Sequence, residues 1–250
     1  MRFAQMTWPE LRAVPRDTVA LAPFGACEQH GPFLPFLTDA IVVEAAAERA
    51  ESILGAEVLL LPTQWLGASQ HHIPFGTLTA DVQTHAQMVH DTCESVLQAG
   101  LRKLLALNGH GGNIDTMHLA LRRLDLRYPE ATLAATSYWD MASGEIAGIL
   151  EGPRKQVGHA CELETSLMLL VRPDLVRRDR IQDDGNFAPE VLRGVAITRS
   201  SAEWGAEGGY GYATRASAEK GQRLMDAIVA RLVEVVRQLH VTGPDGMPEG

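Results

Sequence analysis

The sequence predicts an α/β fold: a single three-layer α/β/α domain with a mostly parallel central sheet. Three observations carry that prediction. Short apolar runs alternate with longer helical patterns in βαβα order, the order of parallel strands joined by helical crossovers. A chain of 250 residues with 46% hydrophobic content is long enough to enclose one full core. No internal repeat or low-complexity tract divides it, so residues 1–241 read as one domain and 242–250 as a disordered tail.

The elements follow from local signals. Thr18 to Pro23 is the first strand, an apolar run ending at a glycine. Asp39 is placed to cap a helix that continues through Leu54 with alanines and valines on its buried side. Val58 to Leu61 is the next strand, closed by a proline. Val82 to Ala99 is a helix stopped by Gly100, and Lys103 to Leu107 is a strand running straight into a glycine-rich turn. A helix from Ile114 to Arg127 ends ahead of Pro129, and Thr132 to Ser137 is a fourth strand. An apolar helix follows the segment His159 to Ser166. Beyond it the pattern loosens: Arg177 to Gly194, broken by Asp183-Asp184-Gly185-Asn186 and Pro189, reads as a long surface loop or an oligomer-contact arm. Gly205 to Tyr212, beside Trp204, reads either as a substrate lid or as a plain connection to the final helix, Ala216 to Leu239.

Composition removes several classes of function. A formal net charge of −9 disfavours nucleic acid, whose phosphates require clustered lysine and arginine. Three cysteines, Cys27, Cys93 and Cys161, form no CxxC pair or disulfide framework and fit a reducing compartment. The longest apolar runs are strand-sized, and the first residues lack the apolar core of a secretory signal, so neither a membrane span nor export is expected and the cytoplasm is the expected location.

Chemistry is concentrated at strand ends. Gly25-Ala26-Cys27-Glu28-Gln29-His30-Gly31-Pro32 follows the first strand, and Asp39 lies nine residues after His30. On an extended segment Glu28 and His30, at i and i+2, point to the same side, and the Gly-Pro turn carries the chain back. Asn108-Gly109-His110-Gly111-Gly112-Asn113 places one histidine at the tip of a turn, and Glu162 falls in the segment His159-Ala160-Cys161-Glu162-Leu163-Glu164-Thr165-Ser166. Glu28, His30, Asp39, His110 and Glu162 together offer two imidazoles and three carboxylates, a donor set suited to Zn, Mn or Fe. Five protein ligands are too many for one open catalytic zinc. Two divalent ions about 3.5 Å apart, sharing a carboxylate and a hydroxide, use all five.

At these residues the chain resembles the creatininase family, the creatinine amidohydrolases, over nearly its full length. The matching segments are Gly25 to Pro35 with Thr38-Asp39, Gly67-Ala68-Ser69 through His72 to Leu78, Asn108 to Asn113, and His159 to Leu169. Ala216 to Gly221 is a weaker fifth match, and Ser137-Tyr138-Trp139-Asp140 looks like creatininase itself. The resemblance implies a binuclear metal centre, zinc first and manganese or iron as alternatives, ligated by the same five residues with Asp39 bridging. It implies hydrolysis of a cyclic, creatinine-like or formamide C–N bond by a metal-bridging hydroxide. His159 stands at the catalytic histidine and is expected to protonate the departing nitrogen. Glu164 joins it in the catalytic set, orienting a ligand or serving the helix dipole. Ser69, His72, Phe33 and Trp139 are expected at a small-molecule amide substrate, with Trp65 and Trp204 as further wall candidates, while His85, His90, His118 and His240 read as surface residues. A homohexamer is also implied.

Departures from the family pattern bear on the substrate. Creatininase proper has a glutamate where this chain has Gly112, and an apolar residue where this chain has Glu162; Phe33 and Cys161 replace a common histidine and glycine. Formamide deformylases and the peptidase of mycofactocin maturation share the glycine turn, so a peptidase acting on a modified peptide is the alternative enzyme. A metal-stabilised, non-catalytic scaffold binding a small molecule is the alternative outside enzymes.

Overall fold

The computed structural model describes residues 1–185 and 205–247. In chain order its elements are α1 (Trp8–Arg12), β1 (Val19–Phe24), β2 (Cys27–Glu28), α2 (Thr38–Leu54), β3 (Val58–Leu60), β4 (Thr77–Leu78), α3 (Val82–Gln98), β5 (Lys103–Asn108), α4 (Ile114–Asp125), β6 (Thr132–Ser137), α5 (Tyr138–Met141), α6 (Ser143–Ile149), α7 (Glu162–Val171) and α8 (Ala218–His240). The four expected strands form one sheet in the order β3-β1-β5-β6, every pair parallel. Strand alternation builds two cores. Val19, Leu21, Leu105 and Leu107 face a layer made of α2, α7 and α8, while Ala20, Ala22, Phe24, Leu104 and Ala106 face α3 and α4. The three-layer architecture is therefore the one the sequence predicts.

After β1 the chain crosses to β3 on one side and returns to β5 on the other, so a topological switch point opens between the carboxyl ends of β1 and β5. Ligands collect in such crevices. Two glycines let α2 wedge its first turn into this one. A Cβ on Gly25, just past β1, would stand 2.4 Å from the Ala40 Cα, and one on Gly109, just past β5, would stand 2.9 Å from both the Asp39 carbonyl oxygen and the Val43 Cβ. A side chain at either position would push α2 away from the sheet and withdraw Asp39 from the crevice.

Several expectations are corrected. Leu37, not Asp39, is the N-cap of α2; Asp39 is the second helical residue, and its carboxylate points into the crevice. His85 and His90, expected at the surface, are buried on α3, where the His85 Nδ1 lies 2.7 Å from the Thr116 Oγ1. Residues 242–247 form a turn in which the Gly243 N–H donates to the Met247 carbonyl, and Thr242 accepts a hydrogen bond from Thr132; residues 248–250 of the expected tail lie outside the described residues. So do residues 186–194 of the expected arm, and Trp204. The segment 205–212 is pinned: Asp184 Oδ2 accepts from the Glu207 and Gly209 N–H groups, and Tyr210 exchanges backbone hydrogen bonds with His159. These bonds tie it to Asp184 on one side and to His159 on the other.

Candidate metal centre

Glu28, His30, Asp39, His72, His110, His159 and Glu164 converge at the switch point, each buried to within a few per cent of full burial. β2 and its antiparallel partner β4 hold Glu28; the turn after β2 holds His30. His110 is fixed by Asn108, whose side chain accepts from the His110 N–H at 3.0 Å and donates to its carbonyl at 2.7 Å. Asn113 ties the far end of the same turn to Gly25 and Ala68.

Hydrogen bonding to carbonyl oxygens decides the imidazole tautomers, because a carbonyl only accepts. The His30 Nδ1 donates to the Glu28 carbonyl, so Nε2 faces Asp39 Oδ1 at 3.0 Å and Glu164 Oε1 at 3.8 Å. The His110 Nε2 donates to the Ala68 carbonyl, so Nδ1 faces Asp39 Oδ2 at 3.1 Å and Glu28 Oε1 at 3.2 Å. The His159 Nε2 donates to the Gln29 carbonyl at 2.6 Å, and Nδ1 faces Glu28 Oε1 at 3.5 Å. Gln29 sets the fourth ring. Its Oε1 accepts from the Gly31 N–H and its Nε2 donates to the Gly208 carbonyl, which fixes the amide; the remaining proton goes to His72 Nδ1 at 2.9 Å, which leaves His72 protonated on Nε2, a nitrogen 3.3 Å from Glu28 Oε1.

At His30, His110 and His159 lone pairs face carboxylate oxygens, which is what a shared cation resolves. Donor atoms about 2.0–2.2 Å from a common ion stand about 3–3.5 Å from one another, as these do except Glu164, whose Oε1 lies 3.8 Å from His30. Glu28 Oε2 and Asp39 Oδ2 are buried with no hydrogen-bond partner among the described residues, a costly state for an anion unless a cation is bound. Electrostatics mark two positions. Burial works to lower His30, yet Asp39 and Glu164 outweigh it and hold the imidazole well above its usual value. Burial likewise opposes the charge on His110, but Glu28 and Asp39 raise it to about 10. The field that draws a proton to each of these nitrogens also draws a metal ion. His159 behaves oppositely: burial, reinforced by His30 and His72, holds it well below the usual range, so it is neutral. Glu28 stays ionised because His110, His72 and His159 together overcome its burial.

Glu162, expected as a ligand, is not in this cluster. Its Oε1 takes the Lys220 ammonium and its two oxygens accept from the Glu151 and Gly152 N–H groups. Glu164 occupies the place instead. Residues i and i+2 of a helix point to opposite sides, so only one of the pair can face the crevice. Glu164, at the third position of α7, accepts from the Cys161 N–H through Oε2 and presents Oε1 to His30. The glutamate position of creatininase proper is closed in this backbone: a Cβ on Gly112 would stand 2.2 Å from the Ala68 carbonyl oxygen.

Of the expected substrate residues, His72 and Trp139 line a cavity of about 150 Å³ over the cluster, together with His71, Gly112, Val157 and Gly158. Phe33 does not line it; it is buried in the core beneath Gly31. Ser69 is fully buried and lies 3.2 Å from His110 Nε2, where it steadies that ring. His71 and Gln29 were missed. His71 stacks parallel to His110 and is lowered to about 4 by burial and by neighbouring His72; the signal was the doubled histidine after Gln70.

A buried nitrogen and carboxylate cage at the switch point of a parallel sheet is the donor arrangement of a metal-binding enzyme. The family profile for creatininase, creatinine amidohydrolase, matches residues 4–236, and the chain belongs to the creatininase family. It is 30% identical to the creatinine amidohydrolase of Pseudomonas putida, across 94% of this chain and 95% of that protein. It is also 30% identical to the mycofactocin precursor peptide peptidase of Mycobacterium tuberculosis (strain ATCC 25618 / H37Rv), across 90% of this chain and 86% of that one. A solved creatininase described as the Mn form superposes with a TM-score of 0.81 at 28% identity, covering 94% of this chain and 97% of the other.

Proposed function

We propose that this protein hydrolyses a small, non-standard amide C–N bond at a binuclear metal centre. The observation that carries the reading is Asp39, whose two oxygens divide between His30 Nε2 and His110 Nδ1, the two nitrogens whose surroundings call for positive charge. Glu28, Asp39 and His110 would hold one divalent ion, and His30, Asp39 and Glu164 the other, zinc or manganese by donor chemistry. When bound, such ions polarise an amide carbonyl and bring the pKa of a water toward neutrality.

The chain's own residues supply the rest. His159, neutral with its lone pair on Nδ1, takes up the proton released at the cage and returns it to the leaving nitrogen. The Gln29 carbonyl keeps that ring in the productive tautomer. His72, with its proton on Nε2, is a hydrogen-bond donor at the cavity wall, and Trp139 and Val157 limit access of water. A peptidase acting on a modified peptide would use the same cage and differ in the walls. A non-catalytic scaffold gives no reason for a neutral imidazole held against the cage.

Metal analysis of freshly prepared protein should find two divalent ions per chain, and chelation should abolish turnover in a screen of cyclic amides, formamides and short peptides. Protein that holds no ion and takes up neither Zn nor Mn sinks the reading.

The expected hexamer and the cytoplasmic location belong to the same proposal. Phe36, Leu37, Ile73, Phe75 and Leu78 are exposed around the β2–β4 ladder, apolar surface that supports a contact between copies, and sedimentation at micromolar concentration should show a closed oligomer. A fully active monomer would refute it. No helix among the described residues is long and apolar enough to cross a membrane.

A further inference from the structure

Trp139 and Val157, which line the cavity over the cage, have a second cleft beside them. The same two residues form the near wall of this cleft of about 470 Å³, roughly three times the volume of the first, lined also by Asp140, Ser143, Ile146, Arg154 and Lys155.

The charge of this cleft runs against that of the chain. The protein carries a formal net charge of −9, yet two cations line the cleft against one carboxylate, and Asp140 is exposed at its edge, where it also borders a separate hollow. Arg154 is held for binding. Its Nε donates to the Val157 carbonyl at 3.1 Å, its Nη1 donates to the Tyr210 hydroxyl at 3.2 Å, and its guanidinium lies 4.6 Å over the Tyr210 ring. The donors left over are those of a planar fork suited to a carboxylate. Lys155, anchored by one hydrogen bond to the Leu150 carbonyl, adds a second positive charge. Tyr210 joins this cleft to the reacting centre, because its backbone exchanges two hydrogen bonds with His159 while its ring supports Arg154.

We propose that the substrate is an amide with an anionic limb: the scissile bond lies over the cage, the limb passes Trp139, and a carboxylate at its end is bound by Arg154 and Lys155. This rests on the amidohydrolase reading of the cage and names the substrate class for it.

The test uses the metal-loaded full chain and a series of N-formyl-ω-amino acids, from N-formylglycine to N-formyl-ε-aminocaproate, each paired with the N-formylalkylamine of the same chain length. Affinity is read by calorimetry for probes that are not turned over and as KM for those that are. The expected result is a length at which the carboxylate probe binds about tenfold or more tightly than its neutral partner, a preference reduced by R154Q or K155Q, abolished in the double variant, and weakened by salt. No carboxylate preference at any length overturns the inference. So does a preference that survives in the double variant, since the carboxylate then sits on the metals. Metal content of every preparation separates the two readings: two ions per chain with no preference overturns this inference alone, whereas protein that takes up no ion overturns the cage assignment and this inference with it.

Discussion

Buried carboxylates on the two sides of the first turn of α7 differ in where their counter-charge comes from. On one side Glu162 meets the Lys220 ammonium and two backbone N–H groups, so its charge is answered within the chain. On the other, Glu28 and Asp39 meet imidazoles, Glu164 meets His30 and the Cys161 N–H, and two carboxylate oxygens, on Glu28 and Asp39, have no hydrogen-bond partner among the described residues. A carboxylate paired with lysine is structural. Carboxylates gathered around lone pairs are a site waiting for a cation, and both kinds occur within three residues of one helix.

The comparison breaks most visibly at Asp39. Asp39→Ala should remove both ions and, with them, activity, by far more than the 10–100-fold typical of residues that only orient a ligand. His159→Ala should keep both ions and lose turnover by about 10²–10⁴-fold, the range of general acid–base catalysis. Metal content measured beside kcat distinguishes them, and loss of metal from the His159 variant would move that residue into the coordination sphere.

Next in size is the ion pair. Lys220→Met leaves Glu162 buried and unpaired, and should destabilise the protein by about 3–5 kcal/mol while the surviving folded fraction binds metal normally. Glu162→Gln combined with Lys220→Met should recover most of that loss. Denaturant midpoints with metal content measured on the same samples decide it; a Glu162→Gln variant lacking one ion would show that this carboxylate belongs to the cage after all.

The same contrast explains what the sequence disclosed. The four main strands and the long helices were legible because apolar runs end at Gly25, Pro62, Gly100 and Pro129, and because burial on both sides of a parallel sheet leaves continuous apolar strands. The two-residue strands β2 and β4 and the short helices α1, α5 and α6 carry too few residues to show a period. Glu28, His30, Asp39 and His110 were legible from their strand-end positions. The choice between Glu162 and Glu164 was not, because helical spacing says that they diverge without saying which faces the sheet; Lys220, far along the chain, decides it. Gln29 was missed for a related reason. Alternation turns it away from Glu28 and His30, and only tertiary structure brings His72 and Gly208 to meet it there.

The smallest effect tests the comparison with a third kind of buried group, an imidazole that faces no carboxylate. His85 packs α3 against α4 with its Nδ1 beside the Thr116 hydroxyl, and burial, aided by the charge of His110, lowers it to about 4, where His110 itself is raised to about 10. The folded chain therefore binds a proton at His85 less readily than the unfolded chain, in which a histidine titrates near about 6.5. Its contribution to stability is complete above that value, falls as the pH drops from about 6.5 to about 4, and levels off below, with a total of up to about 3 kcal/mol. His85→Gln should lack this slope. Acid also strips metal from the cage, but that loss is common to both proteins and cancels in their difference. The measurement is the difference in unfolding free energy between wild type and His85→Gln at intervals from pH 7.5 to about 4.5. A difference that does not change with pH would mean that His85 finds a charge partner inside the fold.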